Sequence, residues 1–109
     1  MDGAEQQAGD GRIPAVADID RLVHEPARLL VLANLDVVES ADFRFLMNRT
    51  GLTWGNLSSH LNKLEEAGYI SIEKTYLGKR PYTLISISEY GRAAFELYRS
   101  QMQELLASI

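Results

Sequence analysis

Apolar residues recur along this chain with two periods. A spacing near 3.6, the turn of an α-helix, runs through most of it, and a spacing of 2 takes over after Gly68. Asp18 to Val23 predicts a short first helix with Ile19, Leu22 and Val23 on one side. His24-Glu-Pro26 breaks that helix and starts a second over about 26–37, because proline suits the first helical position. Its buried stripe is Leu29, Leu32 and Leu35, with Val31 and Ala33. Ser40-Ala-Asp42 supplies the cap of a short third helix whose inner face is Phe43, Leu46 and Met47, and Gly51 ends it.

Thr53 to Gly68 then reads as one amphipathic helix with a start and a stop signal. Thr53 can cap its first turn, and Gly68 can take the left-handed conformation that closes its last. At about 100° per residue, Trp54, Leu57, Leu61 and Leu64 share one face. Gly55, Ser59, Asn62, Lys63 and Glu66 share the opposite one. That outer face is small and hydrogen-bonding near its start, which suits a helix laid against base edges. Taken alone, the segment reads equally well as an ordinary surface helix, whose outer face is always polar. Trp54 can stack at the groove edge, but its place beside the leucines favours the core, and His60 is expected as a packed or hydrogen-bonded scaffold residue. The third helix and this one are joined by the tight turn Gly51-Leu-Thr53, with Leu52 as the plug between them. That is the helix-turn-helix arrangement.

Ile70 and Ile72 alternate with Ser71 and Glu73, and Tyr82 to Ile87 is a second strand-like run. Between them Tyr76-Leu-Gly-Lys-Arg-Pro81 predicts a hairpin tip. Lys74, Lys79 and Arg80 make it the densest basic spot in the chain. Ser88 caps a long final helix, about 89–109. Its Phe95, Tyr98, Met102, Leu105 and Ile109 are spaced 3, 4, 3, 4 like a coiled-coil seam. A seam reaching the last residue asks for a partner helix, and a second copy supplies one. The predicted dimer interface is this seam together with Ile19, Leu22 and Val23.

Composition narrows the classes. The chain has 109 residues, is 46% hydrophobic and has no cysteine, which excludes a disulfide framework and a thiolate metal site. No run approaches the roughly 18 apolar residues of a membrane span. Met1 to Gly11 is acidic and polar rather than basic and then apolar, so a cytoplasmic protein is expected. Residues 1–17 are expected to form a flexible acidic tail, and 18–109 one domain. The net charge of −4 argues against a nucleic-acid partner until it is located. Residues 1–20 hold five carboxylates and Arg12, whereas 21–109 hold ten acidic and ten basic side chains. The body is neutral, so local clusters decide. His24 and His60 are the only histidines, and neither a glycine-rich phosphate loop nor a spaced metal set is present. No enzyme activity, metal or cofactor is expected.

The order of elements is mainly α with a small β-hairpin, a winged helix-turn-helix with a long C-terminal dimerisation helix. The residues also resemble a known family. His24-Glu-Pro-Ala-Arg-Leu29 with Leu32 and Leu35, then Phe43 and Leu46, is similar to the opening of ArsR/MarR-type transcriptional regulators. Thr50 to Ile70, with Gly55-Asn-Leu-Ser-Ser-His-Leu61, carries the resemblance further. It continues through Lys74, Gly78-Lys-Arg-Pro81 and Ser88-x-x-Gly91-Arg92. These look like the small winged helix DNA-binding regulators of bacteria and archaea, over about residues 18–107.

The resemblance implies a homodimer on double-stranded DNA, most simply a repressor. Thr53, Asn56, Ser58, Ser59, Asn62 and Lys63 would contact DNA from the helix, and Lys79 and Arg80 from the wing. Gly55 would let the backbone approach, and Asn62 is the candidate for bidentate reading of adenine. Lys74 belongs to the same basic wing. The chain departs from ArsR-type metal sensors in having no cysteine, and shows no mark of the ligand pocket of MarR-type proteins. An alternative stays open: a winged-helix module whose recognition face binds protein, favoured by the overall acidity.

Overall fold

The computed structural model describes residues 13–109. Most of the acidic tail expected over 1–17 therefore lies outside the described residues. The short helix expected over Asp18–Val23 is not an α-helix. A single 3-10 turn at Val16–Asp18 leads into a turn in which one Asp20 carboxylate oxygen accepts the Leu22 and Val23 amides at 2.9 and 3.3 Å. The aspartate side chain competes there with helical backbone pairing.

α1 spans Pro26–Val38, α2 Phe43–Thr50, α3 Trp54–Glu66 and α4 Glu89–Ala107. Each begins with a side chain that closes a free amide of the first turn. Glu25 accepts from Arg28, Asp42 from Phe45, Thr53 from Asn56 and Ser88 from Gly91. α1 is the central helix and packs on the other three. Its Val31, Leu32 and Leu35 meet Leu46 of α2 and Leu57, Leu61 and Leu64 of α3 in a fully buried core. Burying each such side chain contributes about 1.5–3 kcal/mol, so the leucine spacing of α3 holds that helix to the domain.

α3 ends as its glycine foretells. Gly68 is left-handed at φ +81, its amide donates to the Glu65 carbonyl, and the Tyr69 amide donates to that of Leu64, each at 2.9 Å. This pair of bonds is the Schellman closure. The chain leaves it directly into β2, Ile70–Leu77, which pairs antiparallel with β3, Arg80–Ile87. Ile70 and Ile85 are buried against the helices, with Ile72 and Ile87 partly so, while Ser71 and Glu73 face out.

A third strand was not foreseen. β1, only Ser40–Ala41, pairs with β3 at Ser86 and Ile85 and makes β3 the central strand of the order β1-β3-β2. It is reached through Glu39, a non-glycine residue at φ +71, whose carbonyl accepts the Ile87 amide at 3.1 Å.

α4 crosses the start of the hairpin at Gly91. A Cβ there would lie 2.0 Å from the Tyr69 carbonyl oxygen, so only glycine allows the crossing. Ser88 secures the same junction: its amide donates to Tyr69 O at 3.0 Å and its hydroxyl to Gly68 O at 2.6 Å. One turn on, Arg92 donates to the Asp36 carboxylate and carbonyl, at 2.6 and 3.0 Å, and so ties α4 to the end of α1.

The expected dimer seam divides. Phe95 and Tyr98 are only 7% and 6% exposed, and Val23 is fully buried, so these three belong to the core of the chain's own domain. Ile19, Leu22 and Met102 lie partly buried against the same core, and Leu105 is half-buried. Ile109 lies beyond the helix, which ends at Ala107, and is 93% exposed. The 3, 4 spacing of α4 is thus first the stripe that seats it on its own domain.

Candidate nucleic-acid interface

α2 and α3 are fixed at their junction by three local features. Gly51 is left-handed at φ +75, the Leu52 amide donates to the Thr50 hydroxyl at 3.2 Å, and the Leu52 side chain inserts against the core. The Thr53 hydroxyl is engaged as the cap, accepting the Asn56 amide at 3.2 Å. With Leu57, Leu61 and Leu64 facing in, the opposite side of α3 is left to solvent. Gly55, Asn56, Ser59, Asn62 and Lys63 are exposed and Ser58 is half-buried. Gly55, Ser58, Ser59, Asn62 and Lys63 line one open groove, together with Trp54 and Glu66. No neighbouring atom comes within 4 Å of where a Gly55 Cβ would stand, so the helix surface is flat there.

Trp54 corrects the sequence reading. Although it falls on the leucine side of a helical wheel, it is 59% exposed. It is the first residue of α3, where the helix has run past the core, and its ring instead stacks on Phe43 of α2 with centroids 4.2 Å apart and planes 27° from parallel. Periodicity carries no signal for where along its axis a helix leaves the core.

His60 holds the inner flank of α3 to α1. Arg28 donates from Nε to the Leu22 carbonyl at 2.6 Å and from Nη1 toward His60 Nδ1 at 3.2 Å. Arginine has no acceptor, so His60 accepts on Nδ1. Glu25 sits 3.9 Å from the same ring. Burial pushes the Glu25 carboxyl upward. The hydrogen bond from the Arg28 amide, together with the Arg28 guanidinium, outweighs it and leaves the group below its ordinary value. This network positions the helix rather than contacting solvent ligands, as expected for His60.

The wing is tighter than its sequence suggests. The strands pair out to Leu77 opposite Arg80, leaving a two-residue turn of Gly78 and Lys79. Gly78 has φ +65 and Lys79 does not have positive φ, the pattern of a type II′ hairpin turn. Lys74, Lys79 and Arg80 are all exposed. They do not form one patch, because side chains alternate across a strand. Lys74 pairs with Thr83 and lies on one face, Arg80 shares the face of Leu77 on the other, and Lys79 is at the tip. Arg80 lines a depression with Asp42 and Arg44 at the start of α2. Arg44 was missed because only the β1–β3 pairing, invisible in the residue pattern, brings α2 beside the wing. The ion pairs among the described residues use His60, Arg92 and Arg99, so no carboxylate among them pairs with Arg44, Lys63, Lys74, Lys79 or Arg80.

Among the described residues there is no cluster of histidine and carboxylate groups suited to a metal, and no helix long and apolar enough to cross a membrane. On the far side of α4, a cleft of about 290 Å³ lies among Asp20, Tyr69, Tyr90, Leu97, Tyr98 and Gln101.

Comparison with known proteins places this geometry. The winged helix DNA-binding domain family matches residues 27–106. An uncharacterized protein of Methanocaldococcus jannaschii is 35% identical over 89 residues, 82% of this chain and 97% of the relative. The structure of a transcriptional regulator homologue from Pyrococcus horikoshii OT3 superposes with a TM-score of 0.77 at 26% identity, over 82% of this chain and 88% of the other. A MarR-family transcriptional regulator from Silicibacter pomeroyi shares the fold at a TM-score of 0.62 and 18% identity, over 81% of this chain and 59% of its own. The exposed α3 face, the two-residue wing tip and these matches lead to one assignment: the chain belongs to the winged helix DNA-binding domain family.

Proposed function

We propose that the protein is a dimeric, sequence-specific regulator of transcription that binds double-stranded DNA with α3 in the major groove and represses by occluding promoters. The observation that carries this reading is the open α3 groove of Gly55, Ser58, Ser59, Asn62 and Lys63, and the wing adds exposed cations that no described carboxylate pairs with. Asn62 offers the donor and acceptor needed for bidentate contact to adenine, and Ser58, Ser59 and Lys63 can reach phosphates or neighbouring edges. Asn56 and the capping Thr53 flank the groove, and Lys79, Arg80 and Lys74 supply backbone contacts from the wing. The likeness to a transcriptional regulator homologue supports the regulatory role.

A second copy would bring two recognition helices about 34 Å apart, one turn of duplex. With Val23, Phe95 and Tyr98 committed to the core, the dimer surface falls to the exposed apolar residues around them. These are Ile13 and Val16 of the N-terminal segment and Leu97, Leu106 and Ile109 of the C-terminal one, joined by Met102 and Leu105. Sedimentation of a chain ending at Tyr98 tests this: a truncated chain that stays dimeric excludes Met102, Leu105, Leu106 and Ile109 as the interface.

The DNA reading is tested by titrating random duplex at low salt and by selecting bound fragments from genomic DNA. Binding in the micromolar range is expected for the random duplex. No binding at tens of micromolar, the upper part of the ordinary non-specific range, would favour a protein-binding module instead. In a selected duplex, Asn62→Ala should cost about 1–3 kcal/mol and relax preference at one position.

A further inference from the structure

We infer that Trp54 is a specificity-determining residue of the α3 face, its open indole surface seating the C5-methyl group of a thymine in the major groove. This deepens the DNA-binding reading above and rests on it. Trp54 occupies the first position of α3, and in helix-turn-helix proteins the N-terminal residues of this helix reach base edges. One face of its ring is held against Phe43, which fixes the side chain before any ligand arrives. The rest is in solvent, an unfavourable position for the largest aromatic side chain unless a partner covers it. The ring stands as a ridge between two depressions. On one side are Gly55 and Ser58 of α3, and on the other Arg44, Met47 and Asn48 of α2.

Nearly everything a major groove presents is a hydrogen-bond donor or acceptor. The exception is the thymine methyl, the one apolar group on a base edge. A pre-held apolar surface beside a hydrogen-bonding stripe of serines and Asn62 is therefore complementary to a site that places a thymine beside the bases those residues read. A tryptophan lying on sugar and phosphate would bind every sequence alike, and that difference makes the inference testable. The same methyl is carried by 5-methylcytosine, so the test includes both bases.

In a duplex recovered by genomic selection, each thymine is replaced singly by deoxyuridine, which removes only the methyl group. Affinity of the full chain is read by fluorescence anisotropy. One thymine in each half-site is expected at which the replacement weakens wild-type binding about three- to fivefold, the worth of one buried methyl. Trp54→Ala should bind the two duplexes equally, and Trp54→Phe should keep part of the difference and control for the loss of stacking on Phe43. Trp54 is the only tryptophan in the chain, so its emission should also change more on the thymine duplex than on the deoxyuridine one. Cytosine and 5-methylcytosine are compared at the same position, and a 5-methylcytosine duplex that binds tighter than thymine would overturn the choice of thymine. Duplex binding that is insensitive to every deoxyuridine, or a sensitivity that survives in Trp54→Ala, overturns the inference and leaves the DNA-binding reading standing. A wild-type chain that binds no duplex overturns both.

Discussion

The same substitution, glycine to alanine, should have opposite effects at two helical positions of this protein. In a helix interior, alanine is favoured over glycine by about 0.8–1 kcal/mol through backbone entropy. At Gly55 nothing opposes that gain, because the space a Cβ would occupy has no atom within 4 Å. Gly55→Ala should stabilise by about 0.5–1 kcal/mol, the lower end reflecting its place in the first turn. At Gly91 the new Cβ would sit 2.0 Å from the Tyr69 oxygen, 2.7 Å from its carbonyl carbon and 2.8 Å from its Cα. An unstrained carbon–oxygen contact is about 3.3 Å, so α4 has to retreat by more than an ångström from a backbone that cannot give way. That retreat strains the Ser88–Tyr69 bond of 3.0 Å and the Ser88–Gly68 bond of 2.6 Å. Overpacking costs about 1–3 kcal/mol and a lost hydrogen bond about 0.5–1.5. Against the propensity gain, Gly91→Ala should destabilise by about 1–3 kcal/mol.

Thermal and urea melts followed by circular dichroism separate the two. For a domain of this size each kcal/mol moves Tm by roughly 4–8 °C, so the variants should melt on either side of the wild type. If Gly91→Ala melts at or above wild type, the crossing of α4 over Tyr69 is misplaced. The stabilised Gly55→Ala carries a second readout. If the α3 backbone approaches DNA at Gly55, this more stable protein should bind duplex about tenfold more weakly, a loss of about 1.4 kcal/mol. A variant that is both more stable and equally tight would refute the close approach while leaving the stability argument intact.

Three further outcomes follow from the geometry. Lys79→Ala and Arg80→Ala should each lower the slope of log affinity against log salt by about one unit. An unchanged slope in the double variant would remove the wing from the interface. Glu39→Gly should stabilise by about 0.5–2 kcal/mol, measured by urea denaturation, because a non-glycine residue at φ +71 costs about 1–3 kcal/mol and glycine returns about 0.5–1 in entropy. A destabilised variant would show that the Glu39 side chain matters more than its backbone. Burial, and then the hydrogen bond donated to Asp20, push the Tyr69 phenol far above its usual range. A raised phenol keeps its full stabilising effect below the unfolded value near 10 and loses it as pH climbs above that. Wild-type stability should therefore fall above about pH 10, and Tyr69→Phe should flatten that fall; parallel curves would count against the linkage.

Much of this architecture was legible in the residue pattern because one physical rule fixed it. Leu57, Leu61 and Leu64 had to face inward, so the exposure of Ser59, Asn62 and Lys63 followed. Gly51, Gly68 and the capping Thr53 and Ser88 stand where backbone geometry demands them. What escaped depends on contacts between distant segments. Phe95 and Tyr98 carry the same spacing whether a helix packs on its own domain or on a second copy, and the fold uses them at home. Trp54 obeys the wheel in angle but not in depth along the axis. Lys74 and Arg80 are close in sequence, and only the register of the strands sends them to opposite faces. Asp20 matches the helical pattern locally, yet its carboxylate is occupied by Tyr69, 49 residues away.

The short β1 strand has a consequence for how such a wing could be rebuilt. β3 is gripped from both sides only near Ile85, Ser86 and Ile87, where β1 and Glu39 hold one edge and β2 the other. From Glu73 to Leu84 the two arms pair with nothing but each other. The hairpin is thus a fixed socket carrying a detachable blade. Adding one residue to each arm would push the tip outward by about 3.3 Å and exchange its faces, whereas adding two would restore them. Blades transplanted from other members of the fold should seat without disturbing the socket, provided that their arms grow by even steps.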